Sequence, residues 1–234
     1  MTSQTSDQLP RQGGHGKEKT MSKLMRAPRE CGSWFWDLDE VAEPGLESAL
    51  ATASRMSEAL VELELLAPAK LEFGWYVLDI GTTGIRSSLE LTTQLGDPSL
   101  PERLLGSRPA AFPSAKIDDV HVIGTGKWID AAGQTQQEPQ LVDLSVSPAP
   151  TGLSAVLSVH HDIWAWYDFS GKPHPEVYHH NAPRLAAALQ ELSRMLGVSP
   201  EPGDPTYFGS STPEGLAIPE AYEDGLGPDL TSRL

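Results

Sequence analysis

Histidines and acidic residues gather between positions 160 and 180, and such side chains bind metals. His161 and Asp162 are adjacent, and His174 and His179 follow shortly after them. Imidazole and carboxylate groups suit zinc, iron or manganese. Neighbouring residues of a strand point to opposite faces, so only one of His160 and His161 can join a metal site. Because the spacing matches no known ligand motif, we favour histidines at the surface or at a hairpin edge, with room for one that is hydrogen-bonded in the core, and we expect no cofactor.

The same stretch is also rich in aromatic residues. The run 163–169 is expected to be a strand on which Trp164 and Trp166 share one face. Aromatic side chains ringed by carboxylates are typical of a surface that binds a basic protein. The alternative is that the two tryptophans are core residues that pack on the helix that follows. The candidate binding residues are Trp164, Trp166, Asp162, Asp168 and Tyr178.

Another candidate for chemistry is the run Asp79-Ile80-Gly81-Thr82-Thr83-Gly84, which lies between two expected strands. It resembles the first phosphate loop of the sugar kinase and actin superfamily, in which a strand ends in Asp-x-Gly-Thr-Thr and a hairpin returns. The resemblance implies a glycine that lets the backbone approach phosphate, hydroxyls and amides that donate to it, and an aspartate that faces a metal or its waters. No second Asp-x-Gly loop and no glycine-rich adenosine loop follows. A hairpin turn is the interpretation that we favour.

The run Gly124-Thr125-Gly126-Lys127 has some features of a nucleotide-binding P-loop. That motif needs Ser or Thr after the lysine, whereas Trp128 follows here. We therefore expect a β-turn at these glycines. A Gly-x-Ser-x-Gly nucleophile elbow is absent, and Cys31 precedes the first helix with no obvious base nearby. Nucleophilic catalysis thus has little support in the sequence.

The chain is strongly acidic, with a formal net charge of −15 over 234 residues. Residues 1–30 carry six basic and three acidic residues, residues 31–196 carry ten and 22, and residues 197–234 carry one and seven. A nucleic-acid-binding core needs a basic face, so this distribution argues against one. Carboxylates on a folded surface attract a basic protein, which is the partner we expect.

The single cysteine, Cys31, excludes an intrachain disulfide framework and a zinc site built from several cysteines. It suits a reducing compartment. No stretch approaches the roughly 18 apolar residues of a transmembrane helix, and the N-terminus has no apolar run before Trp34 that would indicate a secretory signal. We expect a cytoplasmic protein that does not bind membranes.

The apolar pattern predicts an α+β fold. One apolar stripe predicts a helix from about Glu43 that ends before Pro68, and another predicts a helix over 183–196. The intervening residues alternate between apolar and polar, with spacings too short for βαβ crossovers. We expect an antiparallel sheet of about five to seven strands with two amphipathic helices on one face. This single domain would span 31–198, after a disordered arm 1–30 and before an acidic, proline-rich tail or arm 199–234.

Two classes of function remain open after these observations. The first is a binding module without catalysis, such as an immunity or inhibitor protein that masks a basic toxin or nuclease; the negative charge and the lack of catalytic motifs favour it. The second is a metal-dependent or phosphate-handling enzyme that uses the histidines of 160–180 or the Gly81–Gly84 loop. A regulatory or scaffold domain without a ligand is a third possibility.

Overall fold

The computed structural model describes residues 24–148 and 152–234, which form an α+β fold. Most of its strands belong to one antiparallel sheet. In chain order the elements are β1 (Gly32–Asp37), α1 (Leu46–Glu62), β2 (Ala67–Val77), β3 (Gly81–Glu90), α2 (Leu100–Gly106), β4 (Lys116–Ile129), β5 (Thr135–Pro139), β6 (Asp143–Ser147), β7 (Ser154–Val159), α3 (Pro175–Leu196), β8 (Glu201–Pro202), β9 (Ser211–Thr212) and β10 (Gly215–Leu216).

The large sheet has eight strands within the described residues, one more than the upper end of the predicted range. Their order is β3-β2-β4-β6-β7-β1-β8, and β5 pairs with the far end of β4 beyond β6. A separate pair, β9 and β10, lies in the C-terminal segment. The two-residue β8 has no alternating pattern that a sequence could reveal.

One face of the sheet consists of fully buried apolar side chains. Leu71, Val122, Leu144, Leu157 and Trp34 lie opposite one another across five strands, and none is more than 1% exposed. The predicted alternation in β6 and β7 is therefore confirmed. Helices α1 and α3 contact β4 and each other, so the sheet face and the helices share one core.

The first helix has the predicted apolar stripe but ends earlier than predicted. It runs from Leu46 to Glu62, and the chain then turns through Glu64, whose φ of 58° is left-handed. Pro68 does not end this helix, because it already belongs to β2. There it lies next to a shift in the register with β4, where a residue without an N–H is tolerated.

The second predicted helix is longer than predicted, because it begins at Pro175 rather than at Pro183. Pro183 lies inside α3 on an exposed side of the helix. A proline in this position cannot donate to the carbonyl of His179, four residues earlier. The carbonyl of His179 therefore lacks its usual helical partner, but His179 is exposed and water can reach it. The third helix, α2, is short and lies in the segment between β3 and β4.

The aromatic run 163–169 is not a strand, so the prediction is wrong there. It starts in a 3₁₀ turn, Asp162–Trp164, and then forms a short loop that doubles back at Gly171. A hydrogen bond from the backbone N–H of Asp168 to the carbonyl of Lys172 closes this loop. Trp164 and Trp166 therefore do not share the face of a strand.

The glycines Gly124 and Gly126 lie within strand β4, and the predicted β-turn is wrong. A Cβ on Gly124 would lie 2.1 Å from the carbonyl oxygen of Ala67, and one on Gly126 would lie 2.2 Å from that of Leu65. These residues are glycines because the backbone at the start of β2 and just before it lies very close to β4, where the pairing of the two strands is irregular. A sequence pattern cannot distinguish such a close approach from a turn.

Both ends of the described chain pack on the sheet. The backbone N–H of Ala27, which is buried, donates to the carbonyl of His160. In the C-terminal segment, β8 pairs with β1, and Phe208 and Leu216 are buried in the common core. The rest of the predicted N-terminal arm, 1–23, lies outside the described residues.

Candidate functional site

The predicted binding residues lie around the 3₁₀ turn Asp162–Trp164, where the C-terminal segment packs against the start of α3. The structure forms two cavities there, one on each side of Leu216. Asp162 and Asp168 line the first cavity, and Trp164 and Tyr178 line the second. The fold therefore divides the predicted binding residues between two cavities.

The first cavity, here called the Asp162 cavity, has a volume of about 250 Å³. Aromatic and aliphatic side chains form most of its wall, and Phe169 and Phe208 make an edge-to-face contact with ring centroids 5.9 Å apart. Its lining residues are Asp162, Ala165, Tyr167, Asp168, Phe169, Thr206, Tyr207, Phe208, Gly209, Ser210, Leu216, Ala217, Pro219, Pro228 and Leu230.

The carboxyl group of Asp162 in this cavity has a raised pKa. Burial raises its pKa, and the charge of Asp168 raises it further, whereas His174 lowers it. Its Oδ2 accepts a hydrogen bond from the backbone N–H of Phe169 at 2.9 Å. A partly buried carboxyl group with a raised pKa in an apolar cavity is a recurrent feature of functional sites.

Asp168 has a structural role in the same loop. Its Oδ1 accepts hydrogen bonds from the backbone N–H and hydroxyl of Ser170 and from the backbone N–H of Lys172. These bonds hold the turn at Gly171, where φ is 80°. Of the two predicted acidic site residues, Asp162 is thus the one whose carboxylate is less engaged by the protein.

The second cavity, here called the α3 cleft, has a volume of about 300 Å³ and lies beside an aromatic cluster. Trp166 makes edge-to-face contacts with Tyr178 and His179 at centroid distances of 5.4 and 5.6 Å, and the latter two rings are 5.7 Å apart. His179 is exposed, and the other two rings are half-buried. Among the described residues that line the cleft, Glu214 supplies the one carboxylate.

Trp164 differs from Trp166, because its side chain is fully buried. It belongs to the core and forms the floor of the α3 cleft. The interpretation of the tryptophans as core residues thus holds for Trp164, whereas Trp166 lies in the partly exposed cluster.

The candidate metal ligands do not meet. Within residues 24–148 and 152–234, no three His, Cys, Asp or Glu side chains are placed to hold a metal ion. His161 is buried, and burial lowers its pKa to about 4. His174 contacts the carbonyl of Ala165 through Nε2 at 2.8 Å, and His179 belongs to the aromatic cluster. His160 lies near Asp143, with 3.3 Å between Nε2 and Oδ2.

The residues that resemble a phosphate loop lie at the edge of the sheet. The turn is formed by residues 78–80, and Gly81 already begins strand β3. The hydroxyl of Thr83 donates to the carbonyl of Trp75 at 2.8 Å and accepts from the N–H of Ile85, so it serves the hairpin itself. The run is therefore an irregular β-hairpin, which agrees with the interpretation that we favoured.

Sequence reasoning missed one polar cluster, which lies on the open face of the sheet. Asp119 and His121 are two residues apart on β4, so both side chains point to the same face, and their side chains are hydrogen-bonded. That hydrogen bond and the charge of Arg86 hold the pKa of Asp119 below its usual value. Ser145 lies opposite His121 in the register of β4 and β6. The sequence signal that could have revealed this cluster is the two-residue spacing of Asp119 and His121 in an alternating strand.

The thiol of Cys31 is not a nucleophile in this structure. The residue is buried, and burial together with the charge of Asp162 raises its pKa to about 12. A thiol with so high a pKa holds its proton at neutral pH and does not react as a thiolate. Cys31 instead packs in the core, where its backbone N–H donates to the carbonyl of Val159.

Comparisons with known proteins give no indication of the function of this chain. The sequence matches no protein-family profile, and no curated protein or solved structure is significantly similar to it. Across the described part of the chain, no helix has the length and apolar character needed to span a membrane.

Proposed function

We propose that the protein is a binding module that recognises a basic protein through the α3 cleft and its aromatic cluster. The observation that carries this proposal is the half-buried ring of Trp166, supported edge-on by Tyr178 and His179 beside a cleft that contains the carboxylate of Glu214. Aromatic anchors next to a pocket are typical binding hot spots. A carboxylate in the pocket favours a lysine or arginine side chain from the partner.

The distribution of charge supports a basic partner. The end of β1, the loop that joins it to α1 and the first turn of α1 expose five acidic side chains, and none of them forms an ion pair within the described residues. These residues are Asp37, Asp39, Glu40, Glu43 and Glu47. A negative surface of this kind speeds the approach of a positively charged protein and makes its association sensitive to salt.

An immunity or inhibitor protein that masks a basic toxin or nuclease is the functional class that fits these features. Such a protein needs a rigid acidic surface and no catalytic groups of its own. We assign the interaction to the cytoplasm. The alternative, a metal-dependent or phosphate-handling enzyme, finds less support, because the histidines of 160–180 are engaged separately and Thr83 serves the hairpin.

Capture of proteins from cells of the native host tests the proposal. The full chain, immobilised through a tag, is expected to retain a basic protein at low salt and to release it at high salt. The Trp166→Ala, Tyr178→Ala double variant is expected to lose this protein, since both changes remove rings of the cluster. With the purified partner, the double variant should bind at least about tenfold more weakly.

The matched control is Tyr222→Ala, which removes an aromatic ring that is 60% exposed and does not line the cleft. This variant should bind like the unmodified protein. Recovery of no basic protein at either salt concentration, or equal recovery by the double variant, would refute the proposal. Stoichiometric zinc, iron or manganese that disappears in a His161→Ala, His179→Ala variant would support the enzyme instead.

A further inference from the structure

We infer that the Asp162 cavity binds a small organic amine, whose ammonium group pairs with the Asp162 carboxylate while its apolar part packs against the aromatic wall. This inference is independent of the proposed function. The Asp162 cavity and the α3 cleft share only Leu216 among their lining residues.

The size and the wall of the cavity suit a compact apolar group. Its volume of about 250 Å³ exceeds the roughly 150 Å³ of an apolar protein cavity that holds benzene. Phe169 and Phe208 are buried and Tyr167 is nearly so, so these rings offer a fixed surface rather than mobile side chains. A single ring with a short chain is therefore the kind of ligand that the cavity can enclose.

The charge of the cavity selects a cation. Its lining residues include two carboxylates and no lysine, arginine or histidine. No basic side chain of the described residues forms an ion pair with Asp162. A carboxylic acid ligand would add a third negative charge, and a neutral ligand would leave a buried carboxylate without a counterion.

Asp162 is better placed than Asp168 to receive the ammonium group. Asp168 already accepts three hydrogen bonds that hold its own loop. Asp162 accepts one, through Oδ2, from Phe169. Burial raises the pKa of Asp162, and the charge of His174 offsets this effect only in part, so a bound ammonium group would compensate the carboxylate further.

The aromatic residues add to the attraction for an ammonium group. Faces of tyrosine and phenylalanine rings attract cations, and this attraction grows when water is excluded. The cavity already shows such a contact at its exposed rim, where the guanidinium of Arg233 lies 4.0 Å from the ring centroid of Tyr207. An amine that enters the cavity meets Tyr167, Phe169 and Phe208 together with the Asp162 carboxylate.

Isothermal titration of the full chain with three matched probes tests the inference. The probes are 2-phenylethylamine, its neutral analogue 2-phenylethanol and the acid 3-phenylpropionate. The amine is expected to bind at least about tenfold more tightly than the alcohol, because a hydrogen-bonded ion pair in a desolvated site outweighs a neutral hydrogen bond. The acid should bind most weakly.

Two variants assign the binding to Asp162. Asp162→Asn keeps the shape of the side chain and should reduce amine binding to the level of the alcohol, while the alcohol binds as before. The control is Asp204→Asn, which removes the same charge from an exposed residue outside the cavity and should leave amine binding unchanged. Ala217→Trp, at an exposed lining position, should block all three probes by filling the cavity.

The inference fails if the amine binds no more tightly than the alcohol, or if Asp162→Asn binds the amine as tightly as the unmodified chain. Either result leaves the proposed function untouched, since that depends on Trp166 and Tyr178. Conversely, loss of partner binding in the Trp166 variant with intact amine binding separates the two sites.

Discussion

The two faces of the large sheet are built from the same strands but differ in chemistry. On the covered face, Trp34 and Trp36 lie in an apolar layer beneath the helices. On the open face, the residue between them, Phe35, is 37% exposed and continues a row that contains His121 and Ser145. The comparison shows that burial on one face supplies the stability, whereas the other face is free to carry charge.

Two titratable side chains show a similar contrast. His161 is buried just after β7, and burial lowers its pKa to about 4. Asp119 lies on the open face, where its hydrogen bond with His121 holds its pKa below the usual value. The environment of each face thus decides whether a titratable side chain opposes folding or supports it.

The largest difference between the faces is expected for adjacent aromatic residues of β1. Trp34→Ala should reduce the free energy of unfolding by roughly 3–5 kcal/mol, because it opens a cavity in the core and removes the hydrogen bond from Nε1 to the Thr212 carbonyl. Phe35→Ala should cost only about 1 kcal/mol, as less apolar area is lost from a partly exposed site. Urea unfolding of both variants at 25 °C measures the difference. Similar losses would show that the open face is covered in solution.

If the Trp34→Ala variant does not fold, Trp34→Phe provides the measurement. It keeps an aromatic ring in the layer but still loses the hydrogen bond to Thr212. We expect its loss of stability to lie between those of the two alanine variants.

The next largest effect concerns pH. The pKa of His161 is about 4 in the folded protein and 6.5 without the fold, so the unfolded chain binds the additional proton between these values. Stability is therefore complete above pH 6.5 and falls as the pH approaches 4, by up to roughly 3 kcal/mol. Urea unfolding across this range measures the slope, and His161→Phe should flatten it.

Asp119 provides the opposite case on the open face. Its pKa lies below the usual 3.8, so the stability that it contributes is present above pH 3.8 and is lost as the pH falls through its lowered pKa. Asp119→Asn should therefore leave the slope between pH 6.5 and 4 unchanged. A slope that vanished in Asp119→Asn rather than in His161→Phe would contradict the assignment.

A smaller effect is expected for Gly124 in β4, which lies very close to the backbone of Ala67 in the neighbouring strand β2. Gly124→Ala should destabilise the protein by roughly 2 kcal/mol, because its Cβ would lie 2.1 Å from the Ala67 carbonyl oxygen. The matched control is Gly106→Ala at the end of α2, where nothing lies within 4 Å of an added Cβ. This control should be neutral or slightly stabilising. Equal thermal midpoints for the two variants would mean that the backbone of β4 at Gly124 does not lie this close to Ala67.

The smallest effect is expected for the ion pair Lys70–Glu72 on the open face. Both side chains are about one third exposed, and solvent screens such pairs. Lys70→Ala should therefore change the free energy of unfolding by about 0.5 kcal/mol or less. The change should diminish further in high salt. A loss comparable to that of Gly124→Ala would show that the pair contributes more than a surface contact.

Much of the fold could be predicted because its signals are local. The apolar stripe of α1 is buried at Leu50, Met56 and Leu60, and β6 and β7 alternate as predicted. The sequence pointed to residues 160–180 as the candidate site, and this remains a prediction. The Asp162 cavity is also lined by Phe208 and Leu230, which come from a segment without a periodic pattern.

The predictions that failed depend on particular contacts rather than on the periodicity of apolar residues. Gly124 suggests a turn until the backbone of Ala67 is placed beside it. The aromatic run after Asp162 suggests a strand, yet the Asp162 carboxylate binds the N–H of Phe169 and holds a compact loop. In both places a specific contact, rather than a periodic pattern, decides the local structure.

By itself, the sequence determined the fold class, the acidic character of the chain and the apolar faces of its main elements, because periodicity and charge are properties of neighbouring residues. Only the tertiary structure decided which polar groups meet. It separated His161 from His174 and His179, buried Trp164, exposed part of Trp166, and enclosed Asp162 with aromatic residues of the C-terminal segment. Burial and proximity set the pKa values and the cavities, and both arise only when distant segments pack together.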